Sequence, residues 1–303
     1  MTDITAGTSE PVLATGTSGR AQKRARPPRK PRRPLRPRTL FAAVAAYLVA
    51  IIFIVPYLDM FVTAMRPINE LQQPNILPHH WTWSNFSTIW STGFGASFRV
   101  SLEVAAGSTV LVLLVALPAA YYTARKQFRG RSVFLLLVLV TQMFQPPAML
   151  VGIYKEFLSF NLLNTVFSLI LVNAGFNLAF AVWILNAYFS SIPVELEDAA
   201  MVDGTSRLGA LVRITLPLAL PGVVTALIFS FIAAWNEFIV ALTLNTTPNT
   251  QPLTVNINGY IGQYQIDWGH LFAGSVIATV PVIILFAIIE GKVVSGLTAG
   301  SVK

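Results

Sequence analysis

Six apolar runs punctuate this 303-residue chain and leave no room between them for a separate soluble core. They lie near Leu40–Met65 (with an uncharged core from Leu40 to Leu58), Val104–Tyr122, Val133–Ile153, Thr165–Phe189, Gly222–Leu244 and Leu271–Ile289. A helix that crosses a bilayer needs about 20 predominantly apolar residues, so each run is long enough. Charged residues make up only 11% of the chain, against about 25% in soluble domains. The sequence therefore predicts an all-α integral membrane protein with six transmembrane helices and no separate soluble core.

The net charge of +8 has a local origin. The first 38 residues hold ten basic and two acidic side chains, and the remaining 11 basic and 11 acidic residues cancel. Residues 1–38 are rich in Thr, Gly and Ser, then in Arg, Lys and Pro, and cannot bury apolar area. They are expected to be a disordered basic tail, followed by one transmembrane domain over 39–303. The tail would anchor the N-terminus and attract anionic membrane lipid. No aromatic-and-basic platform accompanies the charge, so a nucleic-acid partner is not expected.

Basic residues also set the orientation. With the N-terminus inside, 18 of the 21 fall on the cytoplasmic side, leaving only Arg66, Arg99 and Lys155 outside. Both termini are thus expected in the cytoplasm. Three segments would face out, near 66–98, 154–164 and 245–268. Trp81, Trp83, Trp90 and Trp268 in or beside them suit the membrane interface.

The longest polar interruption in the second half, Glu195–Pro221 within a loop spanning about 190–221, is placed inside by the same rule. Pro193 suits a first helical turn. Glu195, Glu197 and Asp198 follow, where carboxylates complement the positive helix end. Ala199 and Ala200 keep one side of the helix small. Asp203 precedes Gly204, a natural left-handed stop. Thr205 or Ser206 can cap a second helix, along which Leu208, Leu211, Val212, Thr215 and Leu216 recur at helical spacing. Pro217 and Pro221 turn the chain back toward the membrane. The expectation is a helix–Gly–helix finger.

The sequence carries no catalytic or metal-binding constellation. There is no phosphate-binding G-x-x-x-x-G-K-[ST], no Cys, and no His–carboxylate set at metal-ligand spacing around His79, His80 or His270. No catalytic residue, bound metal or cofactor is expected in this chain. Polar residues inside the spans are the remaining candidates. Gln142 and Gln145 precede Pro146–Pro147, which must break or kink the third span. Asn173 and Asn177 share a face of the fourth at i, i+4, as Asn186 follows lower down. Asn236 and Glu237 lie well inside the fifth, and an intramembrane carboxylate is a functional candidate by default. Gln142, Asn173, Asn177, Asn236 and Glu237 are therefore the candidates for a translocation path, against helix–helix bonding as the plainer role.

The loop resembles the E-A-A-x-x-x-G … I-x-L-P stretch of bacterial ABC-importer permeases. It stands here as Asp198-Ala199-Ala200, Gly204, and Ile214-Thr215-Leu216-Pro217. Trp235-Asn236-Glu237-Phe238 and Gly296-Leu297-Thr298-Ala299-Gly300-Ser301-Val302-Lys303 are similar to the carbohydrate-importer branch related to the maltose permease. The likeness runs from about Thr39 to Lys303. It implies a type I importer permease fold and a transport subunit rather than an enzyme. The implied partners are a second permease subunit, two ATPase subunits that bind the ATP and Mg, and an extracytoplasmic solute-binding protein. The implied solute is a carbohydrate: a monosaccharide, an oligosaccharide or a polyol. The resemblance further implies that Glu195, Glu197, Asp198, Ala199, Ala200, Asp203 and Gly204 form the coupling loop, with either Glu197 or Asp198 as the docking carboxylate, and that Ser301 reaches the ATPase. Two other readings stay open. One keeps the architecture and changes the solute to glycerol phosphate, a polyamine or a peptide. The other is an ion-coupled secondary transporter with Glu237 as proton carrier, against which no inverted repeat is visible.

Overall fold

The computed structural model describes residues 37–71 and 77–299. The basic tail as far as Arg36 and the terminal Ser301 lie outside the described residues. By its contacts the chain divides after Ala50. Of the first unit, the described part is the start of the first helix, exposed along nearly its whole length. The second unit, from Ile51 on, holds everything that follows.

In chain order the helices are α1 (Pro37–Ala64), α2 (Ser84–Thr88), α3 (Phe94–Arg125), α4 (Arg131–Thr141), α5 (Pro146–Ser159), α6 (Val166–Ser191), α7 (Glu195–Val202), α8 (Arg207–Ala210), α9 (Leu216–Leu218), α10 (Leu220–Trp235), α11 (Ile239–Leu244), α12 (Leu253–Asn258) and α13 (Trp268–Ala299). Among the described residues four helices are long and apolar enough to cross a membrane: α1, α3, α6 and α13. Two more crossings result if each bent pair counts as one span, namely α4 with α5 and the α8–α9 stretch with α10.

The centre of the second unit is α3 packed along α6, with α10 against both. Small residues let these backbones approach: Ala116 and Ala120 on α3, Ala174 and Ala181 on α6, and Ala226 on α10 are all buried. Small contact residues are the usual solution where hydrocarbon offers no hydrophobic drive between helices. At Gly222 a Cβ would overlap the ring of Tyr188, so only glycine permits that crossing of α10 over α6. Buried hydroxyls on α3 satisfy themselves by bonding back along the helix, as Ser108 does to the Val104 carbonyl at 2.6 Å and Thr109 to the Ala105 carbonyl at 2.7 Å.

The break expected at Pro146–Pro147 is present: α4 and α5 meet at 92°. Pro146 and Pro147 lack N–H groups, and the residue before a proline is pushed out of the helical region. Gln145 accordingly sits extended at φ −74°, ψ 140°, and Pro146 opens α5, which continues to Ser159. The fifth run is also interrupted, because α10 stops at Trp235 and helix resumes only at Ile239. The segment 245–268 has helix of its own. It carries α12, whose Leu253 and Val255 are buried, and the Leu253 amide donates to Ser101 Oγ of α3 at 2.7 Å.

At the end of the bundle where α3 begins, Asn85 of α2 ties down α1. Its Nδ2 donates to the carbonyls of Ala64 and Arg66 at 2.8 and 2.9 Å, supplying the last turn with a donor it would otherwise lack. Thr88 of the same helix meets His270 Nε2 of α13 at 2.8 Å. Trp81, Trp83, Trp90 and Trp268 are all partly exposed around this end.

Candidate functional site

The opposite end, where α3 finishes, holds the helix–Gly–helix finger. Tyr121 and Arg125 lie four residues apart and so share a face of α3. Both reach Glu197 of α7. Glu197 Oε1 accepts from Arg125 Nε at 2.7 Å and from Thr215 Oγ1 at 2.6 Å, while its Oε2 accepts from the Tyr121 hydroxyl at 2.8 Å. Arg125 Nη1 also donates to the Ile192 carbonyl at 2.9 Å, fixing the chain just before α7. The Arg125 and Glu197 side chains are 8% and 7% exposed, so this is a buried ion pair.

Burial alone would push the Glu197 carboxyl up. The bonds from Thr215, Tyr121 and Arg125, together with the Arg125 charge, outweigh it and hold the group below the usual carboxylate value. A buried carboxylate is tolerable when its oxygens are satisfied in this way. Thr215 belongs to a π-helical turn, Leu211–Thr215, that follows α8. The single carboxylate therefore joins both arms of the finger to the end of α3.

The tip is closed by local chemistry. The Thr205 amide donates to the Ala200 carbonyl at 3.0 Å and the Gly204 amide to the Met201 carbonyl at 3.1 Å. With Gly204 at φ +86° this is a Schellman cap. Of the two residues proposed to start the second arm, Ser206 caps it, accepting from the Gly209 amide at 3.2 Å. The chain then turns by 75° between the α8–α9 stretch and α10. Outward from the finger stand Val202, 86% exposed, and Leu208, 70% exposed, with Val212 beside them.

The predicted loop residues thus divide by direction. Glu197 and Ala200 face inward and are buried. Glu195, Asp198, Ala199, Asp203 and Gly204 are exposed. Of the two carboxylates left as alternatives, Glu197 is engaged with the bundle and Asp198 is the one at the surface. Sequence reasoning missed Tyr121, Arg125 and the bonding role of Thr215. The available signal was the i, i+4 pair of Tyr and Arg ending an apolar run two spans before an acidic loop.

The five polar residues in the spans do not form one lining. Gln142 and Asn177 border the same cavity beside the α4–α5 bend. Asn173 is buried, its Nδ2 bonded back to the Leu169 carbonyl at 2.9 Å. Asn236 lines a different cavity, of about 250 Å³, with Thr254 and Trp235. Glu237 accepts from the amides of Val240 at 2.7 Å and Ala241 at 3.0 Å, so both its oxygens cap α11. Asn186 joins α6 to α3 through Thr123 Oγ1 at 2.8 Å.

Residues 24–294 match the family described as the binding-protein-dependent transport system inner membrane component. The chain belongs to this family. Membership makes it a multi-pass inner membrane protein and the permease part of a binding-protein-dependent system. It is similar to the sulfoquinovosyl glycerol transport system permease protein SmoH of Agrobacterium fabrum, 36% identical over 86% of this chain and 92% of that one. It is also similar to the trehalose/maltose transport system permease protein MalG of Thermococcus litoralis, 32% identical over 88% of this chain and 97% of that one. The diacetylchitobiose uptake system permease protein NgcG of Streptomyces coelicolor is 31% identical over 87% of this chain and 89% of that one. In fold, the chain resembles the crystal structure of a bacterial ABC transporter that imports the acidic polysaccharide alginate. The TM-score is 0.72 at 23% identity, covering 83% of this chain and 96% of that one. The type I importer permease fold is the architecture shared by these proteins.

Proposed function

We propose that this chain is the membrane-spanning subunit of an ATP-driven importer for a carbohydrate, and that the finger from α7 to the π-helical turn is where partner ATPases act on it. The solutes named for the relatives are sulfoquinovosyl glycerol, trehalose and maltose, and diacetylchitobiose, which supports a carbohydrate here. The observation that carries the reading is the direction of the finger's side chains. Its inner face is bonded to α3 through Glu197, while its outer face presents the exposed apolar side chains of Val202 and Leu208. Exposed apolar groups on a rigid, capped element suit a protein partner better than water.

In this reading the finger lies in the cytoplasm with both termini. Two ATPase subunits bind ATP and Mg, a second permease completes the pore, and the solute-binding protein docks at the end bearing α2 and the start of α13. Movement of an ATPase displaces the finger, and the Glu197–Arg125 bond passes that displacement to α3. Loaded binding protein and ATP each shift a two-state equilibrium by binding one state better. The chain itself has no catalytic role, and its N-terminal tail meets the lipid surface. For the ion-coupled alternative, Glu237 would have to leave the two amides it now caps.

The test is purification of the complex from its native membrane in mild detergent, followed by reconstitution into proteoliposomes with the binding protein. Sugar uptake should require internal ATP and be lost with an ATPase that cannot hydrolyse it. Uptake by this chain without any ATPase would overturn the reading.

A further inference from the structure

The bend between α4 and α5 opens a notch against α6 with a volume of about 700 Å³, within the range of about 300–1,000 Å³ usual for small-molecule sites. Three amides, Gln142, Gln145 and Asn177, and the Thr141 hydroxyl line it, next to the rings of Phe144 and Phe176. No lining side chain carries a formal charge. Gln142 Nε2 donates to the Phe176 carbonyl at 3.0 Å, and Asn177 Nδ2 donates to the Asn173 carbonyl at 2.8 Å. Each of these amides keeps its oxygen and one N–H for another partner.

An amide left unbonded against hydrocarbon is costly. Gln142 and Asn177, each with an oxygen and an N–H left over, stand with Gln145 at a break in a membrane span and call for water or a polar ligand. Sugar hydroxyls both donate and accept, as amides do, and the C–H face of a pyranose lies well on an aromatic ring. A site built to bond hydroxyls also rejects solutes that lack them. We propose that this notch is a station where an uncharged sugar is held during passage. It rests on the carbohydrate-importer reading and goes beyond it in two respects. It places sugar contact on this subunit at the α4–α5 bend, and it excludes carboxylated and sulfonated sugars, whose charge would have no partner there.

Gly175 of α6 borders the notch, and a Cβ built on it meets nothing within 4 Å. A Cβ at this position therefore enters open space, and replacing glycine inside a helix favours the helix. The chain contains no cysteine, so Gly175→Cys gives a single thiol.

The experiment uses the whole reconstituted importer. The Gly175→Cys complex is treated with a charged, membrane-impermeant methanethiosulfonate, alone and with millimolar glucose, trehalose, diacetylchitobiose or glucuronate. The thiol should be labelled, and at least one neutral sugar should slow labelling fivefold or more while glucuronate does not. In a second arm, Gly175→Leu should lower sugar moved per ATP hydrolysed at least fivefold in a complex that still assembles. An unlabelled thiol, labelling unaffected by every neutral sugar, protection by glucuronate, or normal transport in Gly175→Leu would each overturn the proposal. If the wild-type complex transports sugar while any of these holds, only the notch is lost. If the wild-type complex transports no sugar, the importer reading falls and the notch with it.

Discussion

Arg125 and Glu197 stand 72 residues apart in the chain and 2.7 Å apart in space, at a point where almost no solvent reaches either. Removing one member of such a pair leaves a buried charge uncompensated, which typically costs about 3–5 kcal/mol. Glu197→Ala and Arg125→Ala should each lower the melting temperature of the purified complex and expose the Asp203–Ser206 tip to protease. The double variant should be less destabilised than the two losses added together, because the second removal relieves the charge the first one stranded. Strict additivity in that cycle, measured by thermal denaturation in detergent, would show that the pair does not couple.

The same carboxylate gives a pH prediction. Glu197 is held below its ordinary value of 4.5 in the folded chain. Its contribution is therefore fully present above about pH 4.5 and is lost as the pH falls through the depressed folded value. Hydrogen exchange in α7 should stay constant from neutral pH down to that point, after correction for intrinsic rates, and rise below it. In Glu197→Gln the acid-induced step should be absent. A step beginning near neutrality would point to a different titrating group.

Much of this was legible in advance because hydropathy is a strong signal. The runs assigned to α1 and α6 match those helices within a few residues, while α3 starts ten residues before its run and α13 ends ten residues after its own; Gly204 is the expected stop, and Ser206 is the cap of the two residues offered. What was missed depended on contacts across the sequence. Nothing local distinguishes Glu197, which points in, from Asp198, which points out. That outcome is decided by Arg125 and Thr215, far away in the chain. Nor did apolar content reveal the interruption after Trp235, since Phe238, Ile239 and Val240 continue the hydrophobic run. The break follows from Glu237 bonding amides that a continuous helix would give to carbonyls. The proline pair at 146 and 147 announced a kink, but its size, 92°, depends on how α5 packs.

Gly204 provides a test that separates strain from crowding. Its φ of +86° is strained for any β-branched residue, yet a Cβ there meets nothing within 4 Å. Gly204→Val should disturb the loop by about 1–2 kcal/mol through backbone strain alone, and Gly204→Asn much less. In reconstituted complexes, transport per ATP should fall in the order Gly, Asn, Val, with membrane insertion unchanged. Equal transport in all three would mean that the finger's shape does not matter to coupling.

Ala199 and Ala200 are neighbours with opposite surroundings, since Ala199 is exposed and Ala200 is 8% exposed. In this cysteine-free chain, Ala199→Cys should react quickly with a soluble maleimide in the isolated permease and be shielded once ATPase is bound. Ala200→Cys should react slowly in both states. Shielding of neither would place the ATPase elsewhere on the chain.

Glu237 is the residue on which the importer and ion-coupled readings differ most. Its two oxygens take the Val240 and Ala241 amides, so the structure gives it a capping role at the start of α11. A glutamine keeps one acceptor oxygen, and the loss of a capping interaction is typically about 1 kcal/mol. Glu237→Gln should therefore leave ATP-driven uptake nearly intact and independent of an imposed proton gradient, with a small drop in melting temperature. Glu237→Ala removes both bonds and should lower stability further by a similar amount. If Glu237→Gln instead abolished uptake at full stability, and a proton gradient drove uptake in the wild type, the carboxylate would be a proton carrier and α11 would owe its start to something else.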